Sequence, residues 1–352
     1  MSRAAFAKRF PDDKVCARHL FEKRWPNGFV CPKCQGAKAW ALDSKPFTYE
    51  CAGCGRQTSV TAGTIFHRSH VSLLTWFQAI YAIASHSNGI SALQLQAQLG
   101  LGSYKTAWLM LQKLRRAMVD PDRSFLEDIV EVDESDIPYR TKADPIAGGQ
   151  GRSAIGKLHI IGAIELSPEG QPRRIRLAPL ESFSAPNIGA FVAGAVEAGA
   201  TVLSDGFSAY KSLKGYNHQP KVVGKMAAHI VMPWIHRVFA NFKRWALGTY
   251  HGVRKAHLRR YLDEFVFRWN RRRHMKSSFD MLLDIATKLP HAGYRRYNAT
   301  PRTKPAPPIG NKDHVYEHQS RRNLPAQPTE STSSPKDETT LRPVSDEQHP
   351  NT

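Results

Sequence analysis

Thr201-Val202-Leu203-Ser204-Asp205-Gly206 is a short apolar run that ends on a carboxylate, and Trp234-Ile235-His236-Arg237-Val238-Phe239-Ala240-Asn241-Phe242-Lys243 follows it further along the chain. An earlier segment of the same shape, Ile129-Val130-Glu131-Val132-Asp133-Glu134, supplies a second carboxylate at a strand end. A mixed sheet can set such strand ends side by side, so Asp133 and Asp205 are candidates for one site. His236, near the start of a helix that follows the sheet, can face them as a third metal ligand. Lys243 lies seven residues beyond His236, two turns on and on nearly the same face, where it can reach a phosphate.

The surrounding pattern supports a sheet. Strand-like periodicity covers 129–132, 158–164, 173–177 and 200–203, with a small-residue helix at 187–198 and further helices at 233–247 and 255–270. Strands first, then strand and helix alternating, predict a mixed α/β sheet. The basic, glycine-rich segment 139–157 is expected to be a loop between the first two strands.

Four of the five cysteines form two close pairs, Cys31-Pro-Lys-Cys34 and Cys51-Ala-Gly-Cys54. That spacing matches one tetrahedral zinc. With short strands at 39–42 and 47–50 between the pairs, it predicts a zinc ribbon that needs its metal to fold. Cys16 has no nearby partner and is expected to be a small buried residue. A short helix is expected before the ribbon.

After the ribbon the pattern turns helical. Candidate helices at 91–99 and 103–118 are joined by Gly100-Leu-Gly102, with Ser91 and Ser103 as N-caps. The second carries Tyr104, Lys105, Lys113, Arg115 and Arg116, which suits the recognition helix of a helix-turn-helix; an ordinary helical hairpin with a basic solvent face fits nearly as well. The expected domains are 1–62 (N-terminal helix and zinc ribbon), 63–122 (helix-turn-helix-like module), 123–298 (catalytic domain) and 299–352, a Pro-, Ser- and Thr-rich tail expected to be disordered.

Lys and Arg outnumber Asp and Glu by 50 to 30, for a net charge of +20 over 352 residues. That balance points to a polyanion, with nucleic acid first. No apolar run approaches the roughly 20 residues that cross a bilayer. The first ten residues lack the apolar core of a signal peptide, so a cytoplasmic, nucleoid-associated protein is expected. For phosphodiester chemistry, two divalent ions held by carboxylates and imidazole supply an activated nucleophile, leaving-oxygen stabilisation and phosphate binding.

The strings Glu131-Val-Asp133-Glu134, Ser204-Asp205-Gly206-Phe-Ser-Ala-Tyr210 and His236-Arg-Val-Phe-Ala-Asn-Phe-Lys243-Arg-Trp-Ala-Leu-Gly-Thr-Tyr-His-Gly-Val resemble bacterial insertion-sequence transposases of the DDE superfamily. The group with an N-terminal zinc ribbon is the most similar. The resemblance runs from about Phe21 to Arg273 and includes Gly63-Thr-Ile-Phe-His67 and Tyr261-Leu-Asp-Glu-Phe-Val-Phe-Arg-Trp-Asn-Arg-Arg272. It implies an RNase H-like core preceded by the ribbon and helical module. It also implies binding of double-stranded DNA at terminal inverted repeats and at a target, metal-dependent strand cleavage and transfer, and a homo-oligomer in the synaptic complex. By position, Asp133 and Asp205 match the two Asp, His236 stands where many relatives have Glu, and Lys243 matches the lysine seven residues later. The imidazole shifts the expected metal from Mg2+ towards Mn2+. Glu264 is a rival third acid, and a non-catalytic DNA-binding regulator derived from a transposase is the alternative function. Glu131, Glu134 and His229 are possible supporting groups without a firm role.

Overall fold

The computed structural model describes residues 1–120, 122–139, 156–221, 231–274, 277–294 and 297. The expected tail, His229 and nearly all of the 139–157 loop lie outside those residues. Two short helices open the chain, α1 (Arg3–Arg9) and α2 (Asp13–Arg24), where one was expected. Pro11 and the side-chain cap of Asp12, which accepts from Val15 N–H at 2.9 Å, separate them. The ribbon follows as β1 (Ala39–Ala41), β2 (Thr48–Cys51) and β3 (Gln57–Ser59), all antiparallel. Its third strand, with only three residues, shows no periodicity in the sequence.

Helices α3 (Leu73–Ser85), α4 (Ala92–Leu99) and α5 (Tyr104–Ala117) form the next layer. Ser91 and Gln94 make a reciprocal capping box at the start of α4, Gly100 closes it at φ 61°, and Ser103 caps α5. The helix boundaries thus agree with the sequence, but two of the basic residues expected to face DNA do not. Lys113 is buried and donates from Nζ to Ile65 O at 2.7 Å, and Arg115 is buried against Glu264. The C-terminal half of α5 is enclosed by its neighbours, leaving Tyr104 and Lys105 exposed at its N-terminal end. Cys16 is fully buried, as expected.

The main sheet contains β4 (Ile129–Pro138), β5 (Lys157–Leu166) and β6 (Pro172–Leu180). Helix α6 (Ala185–Ala195) then crosses to β7 (Thr201–Ser204) and β8 (Asn217–Pro220). The order is β6-β5-β4-β7-β8, with β5 antiparallel to both neighbours and β7 parallel to β4 and β8. Numbered along the chain this is 3-2-1-4-5, the RNase H-like arrangement. The β8 sequence, Asn-His-Gln-Pro, is polar and mostly exposed, so hydrophobic patterning could not reveal it.

Alternation along β4 sorts the sheet faces. Val130 and Val132 pack with Ile188 and Val192 of α6. The opposite face of the sheet is covered by α7 (Pro233–Tyr250) and α8 (Leu258–Asn270), with Ile160, Ile164 and Leu177 packed with Ile235, Phe239 and Leu262. Gly162, paired with Asp133, lets α7 approach closely: a Cβ there would lie 2.9 Å from both Ile235 Cδ1 and Phe239 Cε1.

A last helix, α9 (Ser278–Lys288), was not expected from the sequence. Its Phe279 meets Phe6, Phe10 and Phe77, so this segment of the expected catalytic stretch packs into the cluster made by α1 to α5. Glu264 joins the same layers. Its carboxylate accepts from Arg115 Nε at 2.7 Å, Arg268 Nε at 2.9 Å and Tyr250 OH at 3.0 Å, while Arg268 also donates to Ile83 O and His86 O. Burial alone would raise this carboxyl, yet the two guanidiniums hold it below its ordinary value. Glu264→Ala leaves Arg115 buried without its counter-charge, so a loss of about 3–5 kcal/mol is expected in urea unfolding; a loss below about 1 kcal/mol would contradict the buried-pair account. Among the described residues, no helix is long and apolar enough to cross a membrane.

Candidate functional site

The ribbon gathers its cysteines because each CxxC sits on a tight turn. Gln35 N–H donates to Cys31 O and Gly55 N–H to Cys51 O, both at 2.9 Å, and Lys33 N–H points at Cys31 Sγ at 3.4 Å. Cys31 and Cys54 sulfurs are 3.6 Å apart, Cys34 and Cys51 sulfurs 3.5 Å apart, and all four lie within 4.8 Å of one another. A zinc with Zn–S bonds of about 2.3 Å sets its sulfurs roughly 3.8 Å apart, so the donor set fits a structural zinc. The ribbon is held to α2 by aromatic packing, with Phe21, Trp25 and Phe29 around Tyr49.

The second site lies on the α7 side of the main sheet. The parallel register pairs Ile129 with Thr201, Val130 with Val202 and Glu131 with Leu203. Asp205 follows directly on the end of β7, near enough to Asp133 for its carboxylate to act on that acid. His236, in the first turn of α7, places Nδ1 3.7 Å from Asp133 Oδ2. Lys243 donates from Nζ to Ser135 Oγ at 2.8 Å, two residues along β4 from Asp133. Structure therefore gathers Asp133, His236 and Lys243 around one face of β4, with Asp205 on the turn that follows the neighbouring strand. Among the described residues, the four cysteines are the only group of three or more ligand-type side chains whose donor atoms all approach within 4.8 Å. The donor atoms of Asp133, Asp205 and His236 do not form such a group.

Two neighbours flank this arrangement. Glu131 is buried on the same face of β4, and its Oε2 accepts from Ile235 N–H at 2.8 Å, fastening the free N–H groups of α7 to the sheet one residue before His236. Burial raises the Glu131 carboxyl, with Ile235 and Trp234 N–H groups opposing the rise. Glu134, on the other face, accepts a hydrogen bond from Tyr210 OH. Burial lowers the Lys243 ammonium against the pull of Asp136 and Asp133. The sequence pointed to Glu131 and Glu134 only by adjacency; Ser135 carried no signal.

Asp133 is 7% exposed, and burial pushes its carboxyl up to about 7. The Glu134 N–H, 2.8 Å from Oδ1, opposes that rise, and the carboxylates of Glu134, Asp205 and Glu131 add to it. A raised acid costs stability once pH exceeds its unfolded value near 3.9, and the cost is complete above its folded value. Without Mg2+ or Mn2+, Asp133→Asn is therefore expected to unfold at higher urea than wild type at pH 8, with the difference vanishing towards pH 4. Equal midpoints at pH 8 would show that Asp133 carries no such penalty.

Glu264 is not available as the third acid, since two guanidiniums and a phenol occupy its carboxylate. His251 caps the C-terminal end of α7 at φ 54°. Asp205 Oδ1 accepts from Phe207 N–H at 3.0 Å, a turn contact, and its carboxylate is close enough to Asp133 to push that acid up.

Fold and site together define a zinc-ribbon protein with an RNase H-like core carrying an acidic, histidine-containing cluster. Residues 11–57 match the family model for a transposase zinc-ribbon domain, and residues 125–270 match that for an ISXO2-like transposase domain. A protein of Halobacterium salinarum, described as an uncharacterized protein in transposable element ISH50, is 30% identical over 239 residues, covering 62% of this chain and 77% of the relative. The chain belongs to the ISXO2-like insertion-sequence transposases with an N-terminal zinc ribbon. Among solved structures, a pre-cleavage Mos1 transpososome matches at 14% identity and a TM-score of 0.26, covering 60% of this chain and 77% of that one; so slight a likeness carries no argument.

Proposed function

We propose that this transposase binds double-stranded DNA at the terminal inverted repeats of its element and cuts and joins strands there, with Asp133, Asp205 and His236 as ligands for Mg2+ or Mn2+. The observation that supports this reading is the parallel β4–β7 pairing, which leads both Asp-bearing chain segments to the same end of the sheet, where His236 Nδ1 lies 3.7 Å from Asp133 Oδ2. When bound, the ions supply an activated nucleophile and counter-charge for the leaving oxygen. The residues fit that role. A buried carboxylate crowded by other carboxylates is in want of a cation, and the imidazole adds a donor that favours Mn2+ over Mg2+.

The chain's own groups do the rest. Glu131 holds the first turn of α7 to the sheet, keeping His236 over Asp133. Lys243, half-buried beside Ser135, offers its ammonium to a phosphate of the DNA strand. The ribbon and the exposed start of α5 with Tyr104 and Lys105 hold the element ends, and the net charge of +20 favours the phosphate backbone. In this reading 1–62 and 63–122 serve as DNA-binding modules, 123–298 as the catalytic domain, and 299–352 as a tail. Pairing two element ends calls for a homo-oligomer acting at the nucleoid.

The test is a cleavage and strand-transfer assay with purified full-length protein, labelled DNA carrying the repeats that flank its gene, and Mg2+ or Mn2+. Metal-dependent nicking at the repeat boundary followed by joined product is expected. Nicking without joining would make it a nuclease rather than a transposase.

A further inference from the structure

The ladder between β4 and β7 stops at Glu131 and Leu203, two residues short of the two Asp. β7 itself ends at Ser204, so Asp205 already lies on the turn beyond the strand. Parallel pairing therefore aims the two carboxylates at each other but does not hold their spacing. A metal site tolerates only about 0.5 Å of error in such a spacing. Something past the end of the ladder must supply that constraint.

One side-chain bond spans the gap. Tyr210, fully buried, donates from its hydroxyl to Glu134 Oε1. Each end is tied to one Asp. Glu134 directly follows Asp133, and its N–H donates to Asp133 Oδ1 at 2.8 Å. Tyr210 lies in the 3-10 turn Ser208–Ser212, and its N–H donates to Phe207 O at 3.1 Å, while Phe207 N–H donates to Asp205 Oδ1 at 3.0 Å. The result is a continuous chain of contacts from Asp133 through Glu134, Tyr210 and Phe207 to Asp205.

The chain of contacts is braced from behind. The Tyr210 ring stacks near His218 on β8, with centroids 6.1 Å apart and planes 29° apart. His218 Nε2 is 2.9 Å from Ser204 Oγ, the fully buried residue immediately before Asp205. A hydroxyl–carboxylate bond in such a setting is charge-assisted and poorly exposed to competing water.

We infer that the Tyr210–Glu134 hydrogen bond is the clasp that sets the spacing of Asp133 and Asp205, which makes both its members positioning residues of the metal site. This rests on the proposed role of the two Asp as metal ligands. The clasp accounts for the polar end of a tyrosine whose ring alone would satisfy the core. It also separates the two glutamates of the Glu-Val-Asp-Glu string: Glu131 positions the helix that carries His236, and Glu134 positions the turn that carries Asp205.

The experiment titrates Mn2+ into zinc-loaded, full-length protein and follows the free ion by electron paramagnetic resonance, comparing wild type with Tyr210→Phe, Glu134→Gln, Glu134→Ala and Asp205→Asn. Thermal unfolding is recorded in parallel. Tyr210→Phe keeps the ring and is expected to remain folded while its Mn2+ affinity falls by about tenfold or more, the usual effect of losing a partner behind a metal ligand. Glu134→Gln, whose amide oxygen still accepts from Tyr210, is expected to bind Mn2+ more tightly than Glu134→Ala. Unchanged affinity in Tyr210→Phe overturns the clasp alone, as does a Glu134→Gln that falls as far as Glu134→Ala, which would make Glu134 itself a ligand. Should Tyr210→Phe fail to fold, the Glu134 pair decides. If wild type shows no Mn2+ binding that Asp205→Asn removes, the metal-site reading falls and the clasp falls with it.

Discussion

Asp205→Ala is expected to lower metal-dependent nicking and strand transfer by on the order of 10⁴-fold while leaving binding to inverted-repeat DNA unchanged, because the proposed function gives this side chain to the metal site and not to the DNA-holding modules. The residue also closes a turn through Phe207 N–H. Asp205→Asn separates the two roles: the amide oxygen keeps the turn contact but is a much poorer metal ligand. Both variants are expected to lose cleavage, with Asp205→Asn unfolding at nearly the wild-type temperature. Retained cleavage in Asp205→Asn would remove Asp205 from the metal site. Tight DNA binding with no cleavage by wild type in either metal would favour a regulator, with His236 as the first residue to examine.

Removing the ribbon zinc is expected to have the largest effect on stability. Structural zinc contributes apparent binding free energies of about 10–16 kcal/mol in small zinc modules, and that energy is folding energy. The loss should not stay within the ribbon, because Tyr49 on β2 packs against Phe21, Trp25 and Phe29. Chelation, or Cys51→Ser, is expected to release about one zinc per chain, to change the fluorescence of the buried Trp25, and to lower the unfolding temperature. A Cys51→Ser protein that keeps its zinc and its wild-type melting curve would refute a four-cysteine site.

These experiments address sites that differ in how far the sequence revealed them. The cysteine spacing defines its own geometry, since a CxxC turn brings both sulfurs to one side within a few residues. Asp133 and Asp205 were visible as carboxylates following apolar runs, with His236 at the start of a following helix, and the resemblance to a transposase family matched all three by position. Family membership agrees with that resemblance. Residue roles within the carboxylate cluster remain the proposal that the Asp205 variants test.

Other features had no local signature. Lys113 and Arg115 look like a DNA-facing pair in the sequence, yet both are buried, because α5 runs into contact with α3, α8 and α9, which enclose most of its C-terminal half. Glu264 looks like a candidate acid and is instead the anion that neutralises Arg115 and Arg268. Tyr210 and Glu134 are 76 residues apart in the chain and meet only because β7 returns beside β4.

By itself, then, the sequence determined what short-range spacing and periodicity can encode: the ribbon, the capped helices α4 and α5, four of the five strands of the main sheet, and the residues offered to a metal. Tertiary structure alone decided which charged groups are spent inside the protein and which stay exposed. Burial and ion pairing depend on neighbours brought from distant segments, and a charge carries no mark in its own sequence of whether a counter-charge will reach it.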